Sequence, residues 1–393
     1  MTHESAGQRP PDRDRRTETV DRRGDIGEAV DFTFDAEQLA LQDVARTALE
    51  RECDPQMVRT LVDEPTGMTP ALWSTLVDLG WTGLFVPEAL GGTGAGLLEL
   101  CIVAEQMGRL PLPGPFFSSA VAATWAALAL DATDLVGDLV AGTRRGTVAL
   151  GEQGHGDPLG TVRTRARRKG ADWVLTGTKP SVVDGHSADW AIVVARSEEG
   201  VRSYLLDQPG GELVPSLDPT RKLARLVLED RKVVPLGPGG SQAALWHRVL
   251  DDIAVALAAE TVGAADRALT EAIAYTSERI VFDRPVATYQ TVRHRLVEMF
   301  QQVEMARAGV QFAAWASDTD SPERAQAAAM AASYAADAGV RVTGDDIQLH
   351  GGVGFTWAND AHFLFKRVKQ NEALIGGASH QRKRLASLFL ESA

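Results

Sequence analysis

Asp172-Trp-Val-Leu-Thr-Gly-Thr-Lys-Pro-Ser-Val-Val-Asp-Gly185 reads as a strand closed by a turn. Apolar and β-branched residues recur at period two, and Gly177, Pro180 and Asp184-Gly185 punctuate them. Short segments of the same kind flank it at 145–152, 161–170, 189–198, 201–208 and 225–234, separated by Gly, Asp and Lys-Gly turns. Together they predict a small antiparallel β domain, placed at 146–240.

On both sides the period changes. From Phe34 to Leu130 the apolar spacing is helical: Leu41, Val44 and Ala48 share one face, with Asp35 as N-cap. Thr69-Pro70 opens a second helix that Gly80 closes, and Leu97, Leu100, Cys101 and Ala104 mark a third. After Ala243 long Ala-rich helices are predicted over 251–280, 289–317, 323–350 and 362–375, which suggests a four-helix bundle. The resulting class is α+β, with an unstructured arm over 1–30, an N-terminal helical domain over 31–145, the β domain, and a C-terminal four-helix bundle over 241–393.

The chain of 393 residues carries a net charge of −13, from 40 Lys+Arg against 53 Asp+Glu. So acidic a surface repels phosphate backbones and anionic lipid, which argues against nucleic-acid or membrane partners. Two cysteines, Cys53 and Cys101, are too few for a disulfide scaffold or a multi-Cys zinc module. No apolar run reaches the roughly 20 residues of a membrane span. The first 30 residues lack the apolar stretch of a signal peptide, so a cytoplasmic protein is expected.

Nucleotide-fold GxGxxG, Walker A, GxSxG and HExxH patterns are absent from the sequence. Three segments stand out instead. Tyr275-Thr-Ser-Glu-Arg-Ile-Val-Phe-Asp-Arg-Pro285, followed by Tyr289-Gln290, puts Arg279 where a helix ends. Its guanidinium could fork onto a phosphate, or simply match the helix dipole. Gln348-Leu-His-Gly-Gly-Val-Gly-Phe355 allows close backbone approach to a ligand, or a tight turn. Glu260 is the one acid between Asp252 and Asp266, set in an Ala/Val/Leu stretch. There it is either on a polar stripe or buried, and burial would raise its pKa toward the range of a general base.

These segments, with Phe85-Val-Pro-Glu-Ala-Leu-Gly-Gly-Thr-Gly94 and Leu175-Thr-Gly-Thr-Lys179, resemble the acyl-CoA dehydrogenase family in order and spacing from Phe34 to Phe389. The resemblance implies an FAD enzyme of the same three-part fold. It would act on an acyl-CoA thioester by α-proton abstraction and β-hydride transfer to flavin, with an electron-transfer flavoprotein as acceptor. It implies homo- or hetero-oligomers in which one chain completes another's cofactor site. Arg279, Phe282 and Gln290 match the family's residues near the FAD pyrophosphate, and Gln348, Gly351 and Gly352 the segment along a neighbour's adenosine diphosphate.

Elsewhere the match departs from the family. Ser181 and Val183 stand where the family has the Trp and Ser/Thr that contact flavin. Ile375 and Gly376 stand where many members have Tyr and the catalytic Glu. Members that place the base on the bundle helix align it near Ile253, which makes Asp252, and Glu260 two turns later, the candidate bases. The pattern also resembles bacterial heterotetramers in which a non-catalytic chain contributes cross-subunit FAD contacts. The alternative to a dehydrogenase with its own base is therefore a partner subunit.

Overall fold

The computed structural model describes residues 32–152 and 156–392; the arm expected over 1–30 lies outside the described residues. The first helices start where their caps are. Asp35 accepts from Gln38 N and Gln38 returns a bond to Asp35 N, opening α1 (Ala36–Glu52) with a reciprocal capping box. Asp54 caps α2 (Pro55–Asp63) and Thr69 caps α3 (Pro70–Asp78), each with proline in the first turn. The cap of α4 (Leu97–Arg109) comes from far away: the Asp318 carboxylate accepts from Leu97 N at 2.7 Å and Leu98 N at 3.1 Å. Pro115 then leads into a π-helical segment, Phe116–Ala123, followed by α5 (Thr124–Ala129) and α6 (Thr133–Val140).

The β domain holds β1 (Gly146–Ala149), β2 (Arg165–Lys169), β3 (Asp172–Val183), β4 (Trp190–Ser197), β5 (Gly200–Asp207), β6 (Glu212–Val214) and β7 (Leu223–Leu236). Its pairings are mostly antiparallel, as expected. However, β1 runs parallel to β4, and β2 touches β4 in parallel at Arg165–Arg196. Successive pairing β4-β2-β3-β7-β5 returns to β4, so the sheet closes on itself. Leu175, Val193, Tyr204 and Leu226 fill its inside. Trp190, Ile192 and Val194 alternate to the other face and pack with Leu130, Leu139 and Trp246. Strand β4 is buried on both faces for this reason.

The bundle comprises α7 (Ala243–Glu278), α8 (Gln290–Asp318), α9 (Arg324–His350), α10 (Ala361–Leu374) and a further helix α11 (Ala378–Ser392) that the sequence reading missed. A two-residue hairpin, β8 (Ile280–Val281) and β9 (Arg284–Pro285), joins α7 to α8. Helices α4 and α7 cross at reciprocal glycines. A Cβ on Gly108 would stand 1.9 Å from Glu260 O, and one on Gly263 would stand 1.8 Å from Glu105 O. This backbone-to-backbone approach presses the N-terminal helices onto the bundle, and one apolar core runs through both. It also fixes Glu260 at the crossing.

Candidate functional site

A cavity of about 420 Å³ opens where all three parts meet, a volume in the range of small-molecule sites. Phe117, Ser118 and Ala122 of the π-helical segment form one wall, and Thr147, Leu150, Ser181 and Val183 of the sheet another. Leu250, Ile253 and Leu257 of α7 face Gln370, Ala373 and Leu374 of α10. A second cavity of about 330 Å³ adjoins the first and shares Pro158, Leu250, Ile253 and Leu374 with it. The walls are mostly apolar. The run Phe116-Phe-Ser-Ser-Ala-Val-Ala-Ala123 shows neither a helical nor a strand period, so nothing in the sequence marks the π-helical wall; such turns are frequent at functional sites.

One carboxylate stands among the described lining residues of the larger cavity. Glu152 accepts from Lys179 Nζ at 2.8 Å and from Thr164 N at 2.8 Å. Burial pushes its carboxyl up, but these bonds and the Lys179 charge outweigh that and hold it below the usual range. Burial in turn pushes Lys179 down to about 8.

Neither candidate base opens onto the cavity. Glu260 is 5% exposed and sits under two guanidinium groups. Arg221 Nη2 reaches Oε1 at 2.8 Å and Oε2 at 2.9 Å, and Arg367 Nη1 reaches Oε1 at 2.6 Å. Asn371 Nδ2 adds a bond to Oε2 at 2.9 Å. Arg367 also holds the buried Asp218 at 2.5 Å through Nε, and its Nη2 donates to Leu112 O at 3.0 Å. Two arginines and two acids thus form a buried neutral quartet. The expectation of a raised pKa is corrected here. Burial alone would raise Glu260, but the charges of Arg221 and Arg367 and the hydrogen bonds outweigh it, and the carboxyl lies below its ordinary value. Nothing in the spacing announces the partners, which lie 39 and 107 residues away.

Asp252 accepts from Ser317 Oγ at 2.6 Å and from Arg324 Nη2 at 2.6 Å. Burial raises its pKa in spite of Arg324. Its neighbour Ile253 is the residue that lines the cavity. Gly376 also lines it, at φ +82°, with Gly156 O pressed against it. A Cβ there would stand 2.3 Å from that oxygen, so this position has no room for a side chain.

The residues matched to the FAD pyrophosphate and adenosine side lie at one end of the bundle. Tyr275 stacks on His350 at 4.4 Å, which joins the ends of α7 and α9. Arg279 follows, exposed and hydrogen-bonded to Tyr275 OH. Phe282, 87% exposed, sits at the hairpin tip with φ +51°, and Asp283 beside it has φ +63°. This is the two-residue turn with both central φ positive that hairpin twist favours. Gln290 and Gln348 are exposed, and a Cβ on Gly351 or Gly352 would meet nothing within 4 Å. A guanidinium, two amides and open glycine backbone are the donors a pyrophosphate takes, so this surface fits that half of FAD.

Helical lobe, closed sheet and bundle around an apolar cavity make the architecture of a class of flavin-dependent oxidoreductases. Residues 35–134 match the family model "Acyl-CoA dehydrogenase, N-terminal domain" and residues 241–388 the model "Acyl-CoA dehydrogenase, C-terminal domain". The chain belongs to the acyl-CoA dehydrogenase family. It is 31% identical to the acyl-CoA dehydrogenase IpdE2 of Mycobacterium tuberculosis, over 91% of this chain and 98% of that one. With FadE27 of the same organism it shares 31% identity over 92% of this chain and 100% of the relative. Among solved structures it is similar to the Tcur3481-Tcur3483 steroid ACAD, with TM-score 0.81, 31% identity, and coverage of 91% and 98%. It is also similar to the ChsE4-ChsE5 complex of Mycobacterium tuberculosis, with TM-score 0.82, 28% identity, and coverage of 92% and 99%. Among the described residues no helix is long and apolar enough to cross a membrane, and no metal-holding cluster of His, Cys, Asp and Glu occurs.

Proposed function

We propose that this chain is one of two unlike subunits of an acyl-CoA dehydrogenase, and that the α-proton base belongs to the other subunit. One observation carries the reading: among the described residues, no carboxylate free to take a proton lines the larger cavity. Glu152 is held by Lys179, Glu260 by Arg221 and Arg367, and Asp252 by Arg324. A base must reach its proton within hydrogen-bond distance or through one water, and a cation paired to it lowers its basicity. The blocked Gly376 position supports the same reading.

What this chain would contribute is the adenosine and pyrophosphate side of its partner's FAD. Arg279 would bind phosphate, Phe282 would cover the ring system beside it, and Gln290, Gln348, Gly351 and Gly352 would donate hydrogen bonds. Bound flavin supplies the hydride acceptor for α,β-dehydrogenation. The closed apolar walls would exclude water around the acyl group, and Ser181 and Val183 would face whatever enters the cavity. The names of the similar heteromeric and steroid proteins favour a bulky, sterol-derived acyl-CoA as the substrate of the assembly, with an electron-transfer flavoprotein as acceptor and the cytoplasm as location.

Flavin content tests this. Purified alone, the full chain is expected to be colourless and inert toward acyl-CoA thioesters. Co-expressed with a family chain that carries the base, it should co-purify with FAD, and Arg279→Ala should lower the FAD retained. A charge-assisted phosphate contact contributes about 1.5–3 kcal/mol, which predicts roughly 10- to 150-fold weaker retention. A yellow homomeric protein bleached by a thioester would overturn the reading.

A further inference from the structure

We propose that Asp184 is carried as a neutral carboxylic acid and serves as a positioning residue: it donates its proton to Ser118 and so pins the π-helical wall of the cavity to the turn after β3. One oxygen, Ser118 Oγ, has two partners and a single proton. Ser118 Oγ lies 2.6 Å from Asp184 Oδ2 and 3.1 Å from Pro115 O. A serine hydroxyl has one proton to give. Pro115 O can only accept, so both contacts are hydrogen bonds when Ser118 donates to Pro115 O and Asp184 donates to Ser118.

The surroundings agree. Asp184 is 1% exposed, and its Oδ1 has no hydrogen-bond partner. Four basic side chains lie near it, and none is bonded to its carboxyl. His186 Nε2 is bonded to Pro65 O, and Lys222 Nζ donates to Val62 O. Arg221 is held by Glu260, and Arg145 lies beside Asp189. Among the described residues none forms an ion pair with Asp184. A buried carboxylate with one donor and no cation is costly, and neutralisation removes that cost. Burial accordingly raises its pKa, against Ser118, His186 and the arginines. The turn it anchors carries Val183, and Ser118 itself faces the cavity. The pair therefore sets the spacing of two walls, independently of which subunit supplies the base.

The test uses the full chain and Asp184→Asn. Asparagine tolerates the left-handed φ of +53° found here, and its amide N–H can replace the acid O–H toward Ser118. The sign is fixed by linkage. A carboxyl whose folded pKa is raised contributes stability that is full below its unfolded pKa and is lost as pH rises toward the folded value. The thermal midpoint of Asp184→Asn should thus equal or exceed that of the parent at neutral pH, with the gap closing as pH falls through the ordinary carboxylate range. Infrared difference spectra should show a protonated-carboxyl stretch in the parent that Asp184→Asn removes and Ser118→Ala shifts. Absence of that band, or a midpoint for Asp184→Asn as depressed at neutral pH as that of Ser118→Ala, would establish an ionised Asp184 and overturn the proposal.

Discussion

Glu260 shows what a single residue can and cannot disclose. An acid in the run Ala256-Leu-Ala-Ala-Glu-Thr-Val-Gly263 must be exposed, paired or used, and the sequence states that constraint clearly. Which of the three holds depends on Arg221 and Arg367, and no local pattern links them to it. Gly108 and Gly263 let α4 in against the backbone around Glu260, since a Cβ on either would collide with a carbonyl oxygen of the other helix. Glu260→Gln should behave as a stability variant. Removing one member of a buried pair leaves an uncompensated charge and costs about 3–5 kcal/mol, so the thermal midpoint should fall sharply. The lowered pKa of Glu260 adds a pH signature. Its contribution is present above the unfolded carboxylate pKa and is lost as pH falls through the lower folded value. The gap between parent and variant should therefore shrink in acid. Equal midpoints at neutral pH would show that the quartet contributes nothing.

At the scale of elements, periodicity made the α–β–α order legible, as did caps such as Asp35 and Thr69. It did not reveal α11, because Gly376-Gly377 reads as an end and the charged run at 380–384 hides the short apolar spacing of Leu385, Leu388 and Phe389 after it. It did not reveal the parallel pairing of β1 with β4, because alternation along a strand is the same in both directions. The link between α10 and α11 is the element whose geometry matters most for chemistry. Gly376 at φ +82° faces Gly156 O across it. Gly376→Ala should destabilise the chain by about 1–3 kcal/mol from backbone strain alone, more with the steric contact, as read from the thermal midpoint. Gly376→Glu should not restore thioester-dependent flavin bleaching to a co-purified complex whose partner chain has lost its own base. Bleaching gained by that variant would mean that the loop yields and the position is usable.

For the whole molecule, the surface near the bundle's end carries Phe282, Phe355 and Trp357, which are 87%, 79% and 62% exposed. These follow α7 and α9 and adjoin Arg279 and Gln348, so the expected partner seam and the expected cofactor contacts coincide. Aromatic residues of this kind dominate binding energy where they are desolvated. Phe282→Ser with Phe355→Ser should dissociate the complex in sedimentation velocity while leaving the thermal midpoint of the isolated chain nearly unchanged. An intact assembly would place the seam elsewhere.

The buried quartet also has a bearing on how the chain matures. Arg221 and Asp218 precede α7, Glu260 lies within it, and Arg367 arrives only with α10, reaching back to Leu112. While the polypeptide emerges from the ribosome, the early two-thirds hold two acids, Asp218 and Glu260, with only one of their arginines, Arg221. No nascent fragment short of α10 can close this interior without stranding charge. Closure of this interior is thereby deferred to the final stretch of synthesis, when α10 brings Arg367.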